Sequence, residues 1–115
     1  MVAIALAAPI RPGKHEAWRR FMQEIQGQRH EQYHAACRRL GITKELVWLA
    51  NTAQGEIIML CLEVHDPQQL LRTLASSQAA FDRWVKRQVL ELHGLDLAQL
   101  NSVHDCELLL NWQAT

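Results

Sequence analysis

The chain has few of the features that identify a specialised class of protein. Twelve basic residues balance twelve acidic ones among 115 residues, so no positively charged surface for nucleic acid is expected. The five glycines stand apart from one another, which excludes a glycine-rich phosphate loop. No stretch approaches the ~20 consecutive apolar residues of a membrane-spanning helix. Neither nucleic acid nor a membrane is therefore an expected partner.

Cysteine is also scarce. The chain has three cysteines, an odd number, at positions Cys37, Cys61 and Cys106. They fall in segments predicted as helix or strand and lack the spacing of metal ligands. We expect reduced thiols and a cytoplasmic location. The apolar run at residues 2–8 resembles the core of a secretion signal, but no positive residue precedes it and Pro9 ends it. Its alternation of large and small side chains is typical of a strand.

Hydrophobic residues make up 49% of the chain, which fits one globular domain over residues 1–115. An apolar stripe at spacings of three and four predicts a helix over about 14–40, with Gly27 at a possible bend. Asp66 followed by proline predicts the start of a second helix, which pauses at Ser76 and Ser77 and ends near residue 93. Asp82 is expected on a solvated face of that helix.

Four segments look like strands, at about residues 2–9, 45–50, 56–64 and 105–112. The third contains Ile57–Leu62, which is apolar on both faces and must be covered on both sides. The order β-α-β-β-α-β predicts a ferredoxin-like α+β fold, with a four-stranded antiparallel sheet and the helices on one face. Because the other face is also apolar, we expect two copies to pack sheet to sheet as a homodimer.

Several of these features resemble the dimeric α/β-barrel superfamily. They are the element order, the size, the turn at Pro12–Lys14 before a tryptophan-bearing helix, and the segment Phe81–Trp84. Antibiotic-biosynthesis monooxygenases, muconolactone isomerase-like proteins and polyketide cyclases belong to this superfamily. The resemblance implies a barrel-like dimer with a ligand cavity between sheet and helices. It also implies a small cofactor-independent monooxygenase or isomerase/cyclase that acts on an aromatic or polyketide-like molecule. The alternative is a non-catalytic ligand-binding or structural homodimer.

The segment His30–His34 matches the zinc motif H-E-x-x-H, in which two histidines one helical turn apart bind the metal. On a helical projection His30, His34 and Cys37 lie about 100–160° from the apolar stripe, toward solvent. A catalytic zinc instead needs a dry, shaped cavity. A zinc hydrolase is therefore a remote alternative, and surface binding of zinc or nickel is a second one.

His65 is the catalytic candidate, because it follows a strand where sheet and helices meet and because imidazole titrates near neutrality. The candidates for ligand binding are Trp48, Arg29, Trp84 and Glu63. A simpler structural role remains open for four of them: core packing for the two tryptophans, a solvated surface for His65, and snorkelling of the Arg29 side chain. No metal or cofactor is assigned to these residues.

Overall fold

The computed structural model describes residues 2–100 and 106–114. The elements in chain order are β1 (Val2–Pro9), α1 (His15–Gln26), α2 (His30–Leu40), β2 (Ile42–Thr52), β3 (Gly55–Val64), α3 (Pro67–Ser76), α4 (Ala80–His93) and a short 3-10 turn (Leu97–Gln99). The three strands form one antiparallel sheet in the order β1-β3-β2. The fold is therefore α+β, with β3 in the centre of the sheet. No helix in the part of the chain described is long and apolar enough to cross a membrane.

The predicted ferredoxin-like sheet of four strands, and the dimeric barrel built on it, are wrong. The described residues contain three strands; Asp105 lies outside them, and residues 106–114 have no regular secondary structure. The C-terminal segment touches β1 at Cys106, whose Sγ lies 3.5 Å from the backbone nitrogen and oxygen of Ala5. Three consecutive leucines, at 108–110, lack the alternation that fixes the register of a strand. Their apolar character led to the prediction of a strand, but it did not specify a partner strand or a register.

The helices pack on one face of the sheet. Residues opposite one another in an antiparallel pair point to the same side, so the register places Ile58, Leu62 and Val64 of β3 on this face. All three are buried. One core cluster joins Ile58 to α1 and α4, and a second joins Leu62 and Val64 to Leu70 of α3.

The opposite face of the sheet is apolar and exposed. Trp48 of β2 and Met59 of β3 lie opposite each other there, and their exposed fractions are 51% and 46%. Leu46 is their neighbour on β2 and is 40% exposed. We name this surface the open face. Its exposed apolar side chains lie next to one another, whereas those of soluble proteins are normally scattered.

The helix predicted over residues 14–40 is two helices. Gly27 ends α1 with φ −109° and ψ −107°, and the chain continues through residues 28–29 into α2. A Cβ atom at position 27 would lie 2.9 Å from the Gln23 carbonyl oxygen, which is closer than such contacts allow. Glycine is therefore required at this joint.

Asp82 is buried, which contradicts its predicted place on a solvated face. Its side chain is 2% exposed and accepts hydrogen bonds from Arg39 Nη1 and Nη2 at 3.3 and 3.0 Å. The Ser77 hydroxyl donates a third hydrogen bond at 2.6 Å. The carboxylate thus ties the first turn of α4 to the end of α2. Its partner stands 43 residues earlier, so local spacing gave no sign of the pair.

The end of β1 is fastened to the end of α4. The backbone N–H of Arg11 donates to the carbonyl of Leu92 at 2.9 Å. His93 Nδ1 lies 2.8 Å from the carbonyl oxygen of Pro9 and must carry the proton, because a carbonyl only accepts. The same ring stands edge-on to Trp18 at 5.3 Å between centroids. These contacts close the helical layer over the sheet.

Candidate functional site

A cleft of about 520 Å³ lies between α1, the start of α2 and β2. Its apolar wall is formed by Trp18, Met22, Ile25, Val47 and Leu49. The three α1 residues recur at positions i, i+4 and i+7, so they form one stripe of that helix. The volume falls within the range of about 300–1,000 Å³ that is usual for small-molecule sites. Arg19, Gln23 and Gln26 also line the cleft, so it presents polar groups as well as an apolar wall to a ligand.

Two polar side chains meet in this cleft. The Tyr33 hydroxyl donates a hydrogen bond of 2.6 Å to Glu45 Oε1. Tyr33 is in the first turns of α2 and Glu45 is in β2, and both are partly buried. A carboxyl group inside an apolar wall needs such a donor, because burial of an unpaired charge is costly. The pair is the strongest candidate for chemistry among the described residues.

A β-bulge places Glu45 in the cleft. Ile42 lies opposite Val64, whereas Lys44 lies opposite Glu63, so Thr43 is an extra residue in β2. One extra residue moves every later side chain to the other face of the sheet. Without the bulge, Glu45 would point to the open face. Bulges of this kind are frequent near active sites, where they redirect a side chain.

Burial raises the pKa of the Glu45 carboxyl above its ordinary value, and the hydrogen bond from Tyr33 partly opposes that rise. The pKa of Tyr33 is also raised, first by burial and then by the neighbouring carboxylate, so the phenol keeps its proton. Glu45 is therefore poised to take up or release a proton closer to neutrality than an exposed glutamate. The Tyr33 hydroxyl binds Oε1 of this carboxyl group.

Cys37 is one helical turn beyond Tyr33. Burial raises the pKa of its thiol, while a hydrogen bond with Tyr33 lowers it and the charge of Glu45 raises it. The thiolate is the nucleophilic form of cysteine. A raised pKa therefore makes Cys37 a poor nucleophile and leaves proton transfer as the chemistry of this cluster.

His65, the catalytic candidate from the sequence, does not line the cleft. It follows β3, its side chain is exposed, and its backbone N–H donates to the carbonyl of Gly41 at 3.0 Å. Its imidazole packs against Gly41, where an added Cβ atom would meet the ring at 3.5 Å. His65 therefore lies in the connection between β3 and α3.

Arg29 and Trp84 are in contact with each other, but they do not line the cleft. The guanidinium carbon lies 4.0 Å from the centre of the Trp84 ring, and Arg29 Nε donates to Glu24 at 3.0 Å. Trp84 also stands edge-on to Phe21 at 5.2 Å. A cation over an indole face is a stabilising contact. This contact braces the joint between α1 and α2, outside the cleft lining.

Trp48 and Glu63 both lie on the open face, away from the cleft. Trp48 pairs across the sheet with Met59, and Glu63 pairs with Lys44. The interpretation of Trp48 as core was therefore wrong, because its side chain is half exposed. The four ligand-binding candidates thus divide between two separate places and do not form one pocket.

The two histidines of the H-E-x-x-H segment are adjacent. Their ring centroids are 4.6 Å apart and both side chains are exposed on α2. No cluster of three or more His, Cys, Asp or Glu side chains suited to a metal ion occurs in residues 2–100 and 106–114. The third ligand and dry cavity of a catalytic zinc site are therefore missing from the described part of the chain. Cys37 is turned toward Tyr33.

The sequence reasoning missed Glu45 and Tyr33. Two signals for them were present: a carboxylate at the start of an apolar strand, and a tyrosine within an apolar helical stripe, where its hydroxyl needs a partner. Comparison of the chain with protein-family models, with curated proteins and with solved structures gave no match. The resemblance to the dimeric α/β-barrel superfamily therefore stays a prediction.

Proposed function

We propose that this chain is a small cofactor-independent enzyme that moves a proton on an apolar, aromatic or polyketide-like molecule, as an isomerase or cyclase. The observation that carries the proposal is the hydrogen-bonded Tyr33–Glu45 pair in a cleft that also has an apolar wall. An inward carboxyl group is what separates a catalytic cavity from a purely apolar binding pocket. The reaction class follows from the chemistry of the pair.

In this proposal Glu45 is the general base. Its carboxylate removes a proton from a carbon next to a ligand carbonyl, and the electron pair of the C–H bond forms the enolate. The Tyr33 hydroxyl keeps Glu45 in position, and the apolar wall orients the ring. Return of the proton from Glu45 to another ligand atom completes an isomerisation without consuming a co-reactant. The monooxygenase alternative requires molecular oxygen as oxidant, and the pair would then serve to form the enolate that reacts with it.

The experiment uses 2-tetralone, a two-ring ketone with acidic C–H bonds, as a probe. Exchange of its α-protons for deuterium in D₂O is followed by NMR with the wild-type protein. General acid–base groups typically contribute about 10²–10⁴-fold, so Glu45→Gln should lose at least about a hundredfold in the catalysed rate. Tyr33→Phe should lose less. Glu31→Gln, which alters an exposed glutamate of α2, is the matched control and should exchange at the wild-type rate.

Failure would be clear in this assay. A Glu45→Gln protein that exchanges 2-tetralone as fast as wild type removes Glu45 from the chemistry. If the wild type neither binds nor exchanges this probe or a panel of naphthols and quinols, the enzyme proposal falls. Oxygen consumption with a quinol, lost in Glu45→Gln, would instead favour the monooxygenase.

The second candidate is a non-catalytic ligand-binding or structural homodimer joined through the open face. It is supported by the half-exposed Trp48 and Met59 at the centre of that face. Light scattering should give a mass of twice 13.2 kDa, and Trp48→Lys should return it to 13.2 kDa. Leu90→Lys alters a residue of α4 that is 46% exposed and should leave the dimer intact. A wild-type mass of 13.2 kDa at all concentrations would exclude this assembly.

A cytoplasmic location is part of the proposal. It is supported by Cys37 and Cys61, which lie on separate elements and are not joined in a disulfide. A reducing compartment keeps such thiols from oxidation. Cell fractionation with the native chain tests it, and recovery in a secreted fraction would contradict it.

A further inference from the structure

The start of α2 carries two imidazoles that are already arranged as a pair. His30 and His34 are one helical turn apart, and their ring centroids are separated by 4.6 Å with a tilt of 42° between planes. Both side chains are exposed. Within residues 2–100 and 106–114, neither ring makes a hydrogen bond or an ion pair. The two rings therefore remain open to a shared ligand.

The separation of the rings fits a shared metal ion. A nitrogen ligand lies about 2.0–2.1 Å from a divalent ion such as zinc, so two imidazoles on one ion at about 90–110° have ring centroids about 4.5–5.2 Å apart. The observed 4.6 Å falls in that range without movement of the backbone. Helix geometry alone brings residues i and i+4 to the same side, and here the rotamers also bring the rings together.

The number of ligands defines what such a site can do. No third His, Cys, Asp or Glu joins the pair within residues 2–100 and 106–114. Water would fill the other positions on the ion, and the site would lie in solvent. Imidazole ligands suit copper, nickel and zinc, whereas magnesium and calcium prefer oxygen. Affinity for a given nitrogen site rises from nickel to copper and falls again at zinc.

We infer that His30 and His34 form a two-point chelating site for a divalent transition metal, with Cu²⁺ bound most tightly and Ni²⁺ and Zn²⁺ less tightly. The site holds one turn of α2 in helical form, because both ligands must keep their spacing while the ion is bound. It performs no hydrolysis, since the Glu31 side chain and the ion face bulk water. The inference is independent of the cleft and of the proposed enzyme activity.

The experiment is a titration of Cu²⁺, Ni²⁺ and Zn²⁺ into tag-free protein at neutral pH, followed by calorimetry and by the melting temperature. One equivalent of Cu²⁺ should bind and raise the melting temperature. Paramagnetic resonance of the copper form should show two nitrogen ligands. His30→Gln and His34→Gln should each weaken the Cu²⁺ affinity at least tenfold. Mg²⁺ should leave the melting temperature unchanged.

His15→Gln is the matched control, because His15 is an exposed single histidine on α1. This variant and Glu31→Gln should bind Cu²⁺ as wild type does. Glutamine has at least the helix propensity of histidine, so neither site variant should unfold α2, and circular dichroism verifies this. Equal Cu²⁺ affinity in wild type and in His30→Gln or His34→Gln would overturn the inference. So would a loss of equal size in His15→Gln.

Discussion

Replacing Arg39 by methionine should destabilise the protein far more than replacing its partner Asp82 by asparagine. In wild type the guanidinium donates two hydrogen bonds, of 3.0 and 3.3 Å, to a carboxylate that is 2% exposed. Arg39→Met leaves that carboxylate buried with Ser77 as its remaining donor. Asp82→Asn removes the charge that needs a partner and keeps an oxygen for Ser77.

The magnitude follows from the exposure of each partner. Removal of one member of a buried ion pair typically costs about 3–5 kcal/mol. The Arg39 side chain is 42% exposed, so water screens the abandoned carboxylate in part. We therefore expect Arg39→Met to lower the free energy of unfolding by about 2–3 kcal/mol, and Asp82→Asn by about 1 kcal/mol. For a chain of this length the first value corresponds to a melting temperature lower by about 8–15 °C.

The assay is urea unfolding at pH 7, followed by circular dichroism and tryptophan fluorescence. Arg38→Met is the matched control, because Arg38 is an exposed arginine in the same last turn of α2. It should change the free energy of unfolding by less than about 1 kcal/mol. A loss below about 1 kcal/mol in Arg39→Met, or a larger loss in Asp82→Asn, would refute this account of the pair.

Three further predictions concern stability. The pKa of Glu45 is raised on folding, so the folded state binds more protons than the unfolded state. The free energy of unfolding of the wild type should therefore fall as pH rises from the unfolded pKa of about 4.3 through the raised value. The fall is at most about 1.4 kcal/mol per pH unit. Glu45→Gln should lack this fall in urea unfolding between pH 4.5 and 8, and parallel curves would contradict it. Asp66→Ala should cost about 1 kcal/mol in thermal unfolding, because Asp66 Oδ1 accepts from the N–H groups of Gln68 and Gln69; an unchanged melting temperature would count against the cap. Gly27→Ala should destabilise the protein by about 1–2 kcal/mol although alanine favours helices, because its Cβ meets a carbonyl oxygen at 2.9 Å; a stabilised variant would show that the joint can become helical.

The bulge at Thr43 explains both the missed site residue and the misplaced tryptophan. Simple alternation from Ile42 inward would bury Trp48 and expose Glu45. The extra residue reverses that assignment, so Glu45 enters the cleft and Trp48 lies on the open face. A bulge depends on pairing with a strand elsewhere in the chain. The local pattern therefore could not reveal it.

Local signals did predict local structure. Asp66 and the proline after it marked the start of α3, and the pause at Ser76 and Ser77 marks the end of that helix. Each of these depends on neighbours within a few residues. The burial of Asp82 depends on Arg39 from another helix, and the Tyr33–Glu45 contact joins a helix to a strand. Such contacts follow from the tertiary arrangement, which the pattern of single elements leaves undetermined.

The fastening of β1 to α4 has a consequence for how the chain is made. The Pro9 carbonyl can bind the His93 ring, and the Arg11 N–H can bind the Leu92 carbonyl, only after the residues between the partners have been synthesised, which number at least eighty for each pair. During translation β1 can pair with β3 before these hydrogen bonds form. In the nascent chain the end of β1 therefore lacks its contacts with α4 until α4 has left the ribosome. Shortening α4 at its C-terminus should destabilise the end of β1 as much as it destabilises α4 itself.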